Sequence, residues 1–228
     1  MQNTEMISVL LAAYCGETYI AEQIASILPQ LEDGDELLIS DDSPEGCAAT
    51  REAIPADPRI RYMQGPGRGV IKNVEYLLGQ ARGNILVLCD QDDVWLPGKL
   101  DLARNMDTLL LLHDAKLTDE HLHVTEESFL RALGVKPGFW RNLLKNGYTG
   151  CCMALRRELL PYILPFPAGI PMHDQWIGLR AQRRGRVTWV YEPYILHRRH
   201  GETQTGHGST LRQKIAWRWR LIKALIFH

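Results

Sequence analysis

Four short apolar runs recur through the first 90 residues: Met6–Ala13, Glu36–Ser40, Arg59–Met63 and Asn84–Cys89. Between them lie segments with helical spacing. Residues 17–31 carry apolar side chains at 20, 24, 27, 28 and 31, and further helices are predicted near 46–53 and 70–81. Strand and helix alternating in units of roughly 25–30 residues argue for a mostly parallel α/β sheet flanked by helices. In such sheets ligands bind beyond the carboxyl ends of the strands. Three of those ends, Ala12–Tyr14, Asp41–Asp42 and Asp90–Asp93, carry polar or acidic residues. Their agreement points to one site.

The sharpest of these ends is Asp90-Gln91-Asp92-Asp93. Side chains two apart on an extended chain point the same way, so Asp90 and Asp92 can face one ion. Mg²⁺ and Mn²⁺ favour oxygen ligands and leave part of their shell to phosphate. The pattern therefore suggests a divalent metal holding a phosphorylated or nucleotide substrate. A solvated acidic turn is the plainer alternative.

Beyond this point the pattern is less regular. Pro97 is expected to start a helix running to about Leu112, and residues 113–147 are polar, with some helix near 127–135. A strand is expected over 148–155, a short helix over 157–163 and a loop over 165–171. A helix beginning at Asp174 should run to about Arg184, followed by a strand over 187–191. Residues 1–208 read as one domain and 209–228 as a basic amphipathic helix.

A chain of 228 residues suits one domain with a real core. Its net charge of −1 gives no global attraction to nucleic acid, and no nucleic-acid partner is expected. The five cysteines show no CxxC pair, and three lie in apolar runs, as expected of reduced, buried thiols. Glu5 precedes the first apolar run without a basic segment, so no signal peptide is read. Gly65-x-Gly67-x-Gly69 does not fit a dinucleotide fingerprint, and a Walker signature is absent.

Seven segments in order resemble family 2 glycosyltransferases of the GT-A fold, particularly the rhamnosyltransferase-like branch of bacterial surface-polysaccharide synthesis. They are SVLLAAYCGETYIAEQIASIL, LLISDDS, GVIKNVEYLL, LVLCDQDDVWLPGKL, NGYTGCCMALRREL, MHDQWIGL and LHRRHGETQTG. The resemblance implies an inverting, metal-dependent transferase using a nucleotide-sugar donor and a saccharide or lipid-linked acceptor. It implies that Ala12, Tyr14, Glu17, Asp41 and Asp42 hold the base and ribose. Asp90 and Asp92 would hold Mn²⁺ or Mg²⁺ on the diphosphate, with Asp92 the favoured direct ligand and Gln91, between them, a donor contact. Asp174 would be the general base, and His200 a further metal or phosphate contact. The chain departs from the family at Ser43-Pro44 and at His200-Gly201-Glu202-Thr203.

Other residues have competing readings. Asp174 could simply cap a helix, and His173 could support it or merely pack. Arg68 could neutralise phosphate, as could Lys72, although solvated charge is the commoner fate. Trp95 and Trp176 are expected to pack, and His113, His121 and His123 to lie on the surface. The tail carries Arg212, Lys214, Arg218, Arg220 and Lys223 with no acid, interleaved with Trp217, Trp219 and Phe227. It is too short and too charged to span a bilayer, which takes ~20 apolar residues. It could lie in an anionic membrane interface, pack on the domain or pair with a second subunit. The expected location is the cytoplasm, with the tail allowing peripheral binding to the inner face of the plasma membrane. A nucleotidyltransferase and a non-catalytic nucleotide-sugar-binding protein are the rival readings.

Overall fold

The computed structural model describes residues 5–44, 48–199 and 210–227. Strand β1 (Ile7–Ala13) is buried along almost its whole length, as its unbroken apolar sequence requires of a strand covered on both faces. Strands β2 (Glu36–Asp41) and β4 (Ile85–Asp90) flank it in parallel, and β3 (Ile60–Gln64) extends the parallel half beside β2. The other half is mixed. Strand β8 (Met153–Arg156) runs antiparallel to β4, and β6 (Leu110–Thr118) antiparallel to β8. Strand β9 (Val187–Arg198) lies parallel to β6 and pairs with the short antiparallel β5 (Val94–Trp95). The order is β3-β2-β1-β4-β8-β6-β9-β5, with β7 (Val124–Glu126) beside β6.

Helix α1 (Ile20–Ile27) buries Ile20, Ile24 and Ile27, and α3 (Val70–Gln80) buries Val74, Leu77 and Leu78. The short helices are α2 (Ala48–Glu52), α4 (Lys99–Arg104), α5 (Phe129–Leu133), α6 (Phe139–Leu144) and α7 (Leu160–Ile163). Two longer ones follow, α8 (His173–Arg184) and α9 (Leu211–Phe227). No helix among the described residues is long and apolar enough to cross a membrane.

The helix expected from Pro97 to Leu112 ends at Arg104, and Leu110 instead opens β6. A run of leucines suits a helix as well as a buried strand; here strand pairing on both sides decides. That strand carries His113 into the interior, where only 2% of it is exposed, so the expected surface position is wrong. Its Nδ1 lies 2.7 Å from the Asp114 carbonyl, and its ring meets Tyr194 edge-on. His121 and His123 are exposed as expected, while Trp95 and Trp176 are buried. Strand β9 reaches Arg198, well past Tyr191. Its register against β6 shifts on either side of the Asp114–Pro193 pair, where proline has no N–H to give.

Helix α8 approaches the chain at Tyr148 so closely that a Cβ on Gly178 would stand 2.4 Å from the tyrosine ring. Tyr148 is buried, so the ring has nowhere to swing. Gly178→Ala should therefore cost about 1–3 kcal/mol by overpacking. A urea midpoint equal to that of the unaltered chain would refute this packing.

Candidate active site

Register gathers the expected residues on one edge. Ala12 pairs with Ser40 on one side and Asp90 on the other, and Ala13 pairs with Asp41. The tips of β2, β1 and β4 thus lie at neighbouring-strand spacing, about 4.8 Å apart. Around them the loops are tied together by side chains. Gln91 Oε1 accepts from the Tyr14 amide at 2.8 Å, and Gln91 Nε2 donates to the Tyr14 carbonyl at 3.0 Å. This leaves the Tyr14 side chain exposed over the site. Glu17 accepts from Thr50 Oγ1 at 3.1 Å, and the same oxygen accepts from the Gly16 amide.

The acid pair after β2 is buried and occupied. Asp41 accepts from the Ser43 amide at 3.0 Å and from Tyr62 Oη at 3.1 Å. Asp42 takes the Gly67 amide at 2.6 Å on one oxygen and the Gly69 amide at 2.7 Å on the other. Both glycines have positive φ, +64° and +81°, which lets them present those amides to one carboxylate. Arg68 sits exposed between them. Lys72, by contrast, is paired with Glu75.

At the tip of β4, Asp90 and Asp92 are half-buried and Asp93 is fully buried. Burial, then the neighbouring Asp93 and Asp92 charges, push Asp90 up to about 7. Asp93 stays ionised: burial would raise its pKa, but His197 overrides it and holds the group below the usual range. His197 Nδ1 donates to Asp93 Oδ1 at 2.8 Å, and the Arg198 amide approaches the same oxygen at 3.3 Å. Arg198 Nε reaches the Asp92 carbonyl at 2.9 Å, anchoring the turn from behind. Asp93 Oδ2 is buried with no hydrogen-bond partner.

Crowded, like-charged oxygens with an orphaned buried acceptor beside them are what a hard divalent cation relieves, so Asp90 and Asp92 fit one. Asp93, Cys151 and His197 also place three ligand atoms within 4.8 Å of one another. That trio is already an ion pair. Buried Lys99, whose Nζ donates to the Cys151 carbonyl at 2.6 Å, sets a positive charge beside it and opposes a second cation. Asp93 belongs to the acidic turn that the sequence singles out, but its neighbours His197 and Lys99 lie on separate elements, and no sequence spacing joins them to it. His200 falls outside the described residues.

Asp174, the remaining expected site residue, lies on α8. It is the second residue of that helix, behind the cap position Met172, and its side chain is buried. Burial drives its carboxyl up to about 7, although Asn146 Nδ2 donates to Oδ1 at 3.2 Å. Beside it, burial pushes His173 down to about 4, a neutral ring packed on Gly150. One stretch of chain links the two halves. Asn146 bonds Asp174 at its start, and Cys151 Sγ lies 3.8 Å from His197 Nδ1 near its end.

The sequence profile of glycosyl transferase family 2 matches residues 8–164, more than half of the chain. The chain belongs to that family. The transferase is 26% identical over 190 residues to the Escherichia coli UDP-Glc:alpha-D-GlcNAc-diphosphoundecaprenol beta-1,3-glucosyltransferase WfgD, covering 81% of this chain and 73% of that one. It is 24% identical to an uncharacterized glycosyltransferase of Nostoc, covering 70% of this chain and 53% of the relative.

Among solved structures, S. aureus TarS with UDP-GlcNAc superposes with a TM-score of 0.74 at 18% identity, over 97% of the transferase and 67% of TarS. The Pyrobaculum calidifontis mannosyltransferase PcManGT, solved with GDP-Man and Mn²⁺, gives 0.63 at 18% identity, over 99% and 63%. The fold is therefore GT-A. The transferase spans about half to three-quarters of these relatives' lengths. The family match ends before Asp174, so the reading of that residue as a base rests on the resemblance of the MHDQWIGL segment and on the burial of its carboxyl.

Proposed function

We propose that this transferase moves a sugar, with inversion, from a nucleotide-diphosphate donor to a hydroxyl of a saccharide or lipid-linked acceptor in cell-surface polysaccharide synthesis. The observation that carries it is the division of labour between carboxylates. Asp90 and Asp92 crowd together at a strand tip, while Asp174 stands apart on α8, buried and with its pKa raised to about 7.

Asp90 and Asp92 would hold a divalent ion, which would supply charge neutralisation at the leaving diphosphate. Ala12, Tyr14 and Glu17 border the base and ribose, and Asp41 and Asp42 set the loops around them. Arg68, on the loop that Asp42 clamps, neutralises phosphate in this reading. Asp174 takes the proton of the attacking acceptor hydroxyl; a base with a pKa near the working pH does this best. One base and no protein nucleophile give direct displacement, hence inversion. His200, outside the described residues, is assigned a further phosphate or metal contact by the resemblance alone.

The related enzymes and structures name glucose, N-acetylglucosamine and mannose donors. A rhamnosyl donor remains the fourth arm of the test. Nucleotide release should be followed from UDP-, GDP- and dTDP-linked sugars with Mn²⁺, Mg²⁺ or EDTA, for the unaltered chain and for Asp92→Asn. One donor should be hydrolysed slowly, with loss of turnover in EDTA and a drop of about a hundredfold or more in Asp92→Asn. No release from any donor, with no metal-dependent thermal shift, would sink the reading.

A further inference from the structure

Large apolar side chains normally stand exposed singly. Here they gather on two touching helices. Trp140 and Leu144, one turn apart on α6, are 74% and 61% exposed. On α9, Ile215, Trp219, Ile226 and Phe227 are 46%, 68%, 68% and 75% exposed. The helices are joined where the Arg218 guanidinium donates to the Leu144 carbonyl at 2.6 and 3.2 Å.

Helix α9 has two apolar faces. The inner one, Leu221, Ala224 and Leu225, is buried against the domain, and Arg183 donates to the Leu225 carbonyl from α8. The outer one runs through Ile215, Trp219, Ile222 and Ile226, spaced i, i+4, i+7, i+11, a continuous helical stripe. Packing on the domain therefore consumes only one side of the helix. Exposed Arg212, Lys214, Arg220 and Lys223 surround the outer stripe, and no residue of α9 is acidic.

We propose that α6 and α9 together form a docking face for an anionic phospholipid surface. Tryptophan beside an aliphatic stripe suits the headgroup boundary, and the cations complement the lipid phosphates. A second copy is the poorer occupant, because it would set two acid-free cationic helices against each other. The face also has a direction. Helix α6 leads within two residues to Asn146, which holds Asp174. Docking there brings the base side of the site to the bilayer, where a lipid-linked acceptor lies. That last step rests on the proposed transfer, whereas lipid binding itself is read without turnover.

The test is flotation of the protein with vesicles of phosphatidylcholine alone, or with about one-third phosphatidylglycerol. Binding is expected to the anionic vesicles only, weakening as salt rises. Lys214→Gln and Lys223→Gln should each weaken it about fivefold. Trp140→Ser and Trp219→Ser should each weaken it about tenfold. Thermal midpoints and nucleotide release in these variants should match the unaltered protein, separating lost docking from lost folding. Failure to float, or equal binding to neutral vesicles, would overturn the proposal. So would a dimer in sedimentation that Trp219→Ser dissolves, since the stripe would then belong to a second copy. Flotation without turnover of any donor would keep the docking face and remove the transfer reading.

Discussion

Asp174→Asn should abolish most sugar transfer and, at the same time, make the protein more stable at alkaline pH. The first half follows from the chemistry. A positioned general base contributes about 10²–10⁴-fold, and asparagine keeps the shape and the Asn146 contact without accepting a proton. Donor binding should survive, because the substitution leaves the tips of β1, β2 and β4 untouched. The second half follows from linkage. Burial raises the Asp174 carboxyl from 3.8 to about 7 in the folded protein. A raised carboxyl favours the folded state while protonated, so this residue costs stability progressively as pH climbs from about 4 to about 7. The full cost is present above about 7, on the order of 1–4 kcal/mol. Asparagine never ionises and escapes it. Activity of the unaltered enzyme should instead rise over the upper part of that window, as the base becomes available. Transfer that persists in Asp174→Asn, or a mutant less stable at pH 8, would remove Asp174 from the role of base.

How much of this was legible in sequence depended on range. The tips of β1, β2 and β4 could be placed because each ends an unbroken apolar run, a local signal that needs no knowledge of neighbours. Strand β6 could not, since Leu109–Leu112 satisfies a helix equally well and only β8 and β9 on either side make it a strand. Burial of His113 was hidden for the same reason. Asp42 stood out as an acid at the end of an apolar run, but its two bonds to Gly67 and Gly69 cross 25 and 27 positions, and no local pattern announces them. The tail was read as membrane-facing, packed on the domain or paired with a second subunit. Its inner face packs on the domain, and its outer face is left uncovered by the described residues. Helical spacing alone does not say which stripe the domain takes.

The pair that no spacing could announce should also be the most costly to break from one side. His197 and Asp93 lie 104 positions apart, both buried, joined by a 2.8 Å hydrogen bond. Burial alone would lower the imidazole, but Asp93 overrides it and holds His197 at about 9, so the ring is charged at neutral pH. Asp93→Asn removes the counter-charge and leaves that ring desolvated, at a cost of about 3–5 kcal/mol. His197→Gln alone strands the Asp93 carboxylate, whose other oxygen already lacks a partner, and should cost a similar amount. The double variant places a neutral amide on each side. It should recover roughly 1–3 kcal/mol relative to the sum of the singles, because neither charge is then left alone.

The sign of the pH dependence follows from the raised imidazole. The contribution of His197 is complete below its unfolded value of 6.5 and is lost as pH rises through about 9. Urea midpoints for the four proteins at pH 6 and pH 9 measure both effects. Strictly additive losses, or a penalty unchanged between those pH values, would mean that Asp93 is held by the Arg198 amide and packing rather than by charge. The anchoring of Asp92 would then have to come from the Arg198 guanidinium on its carbonyl.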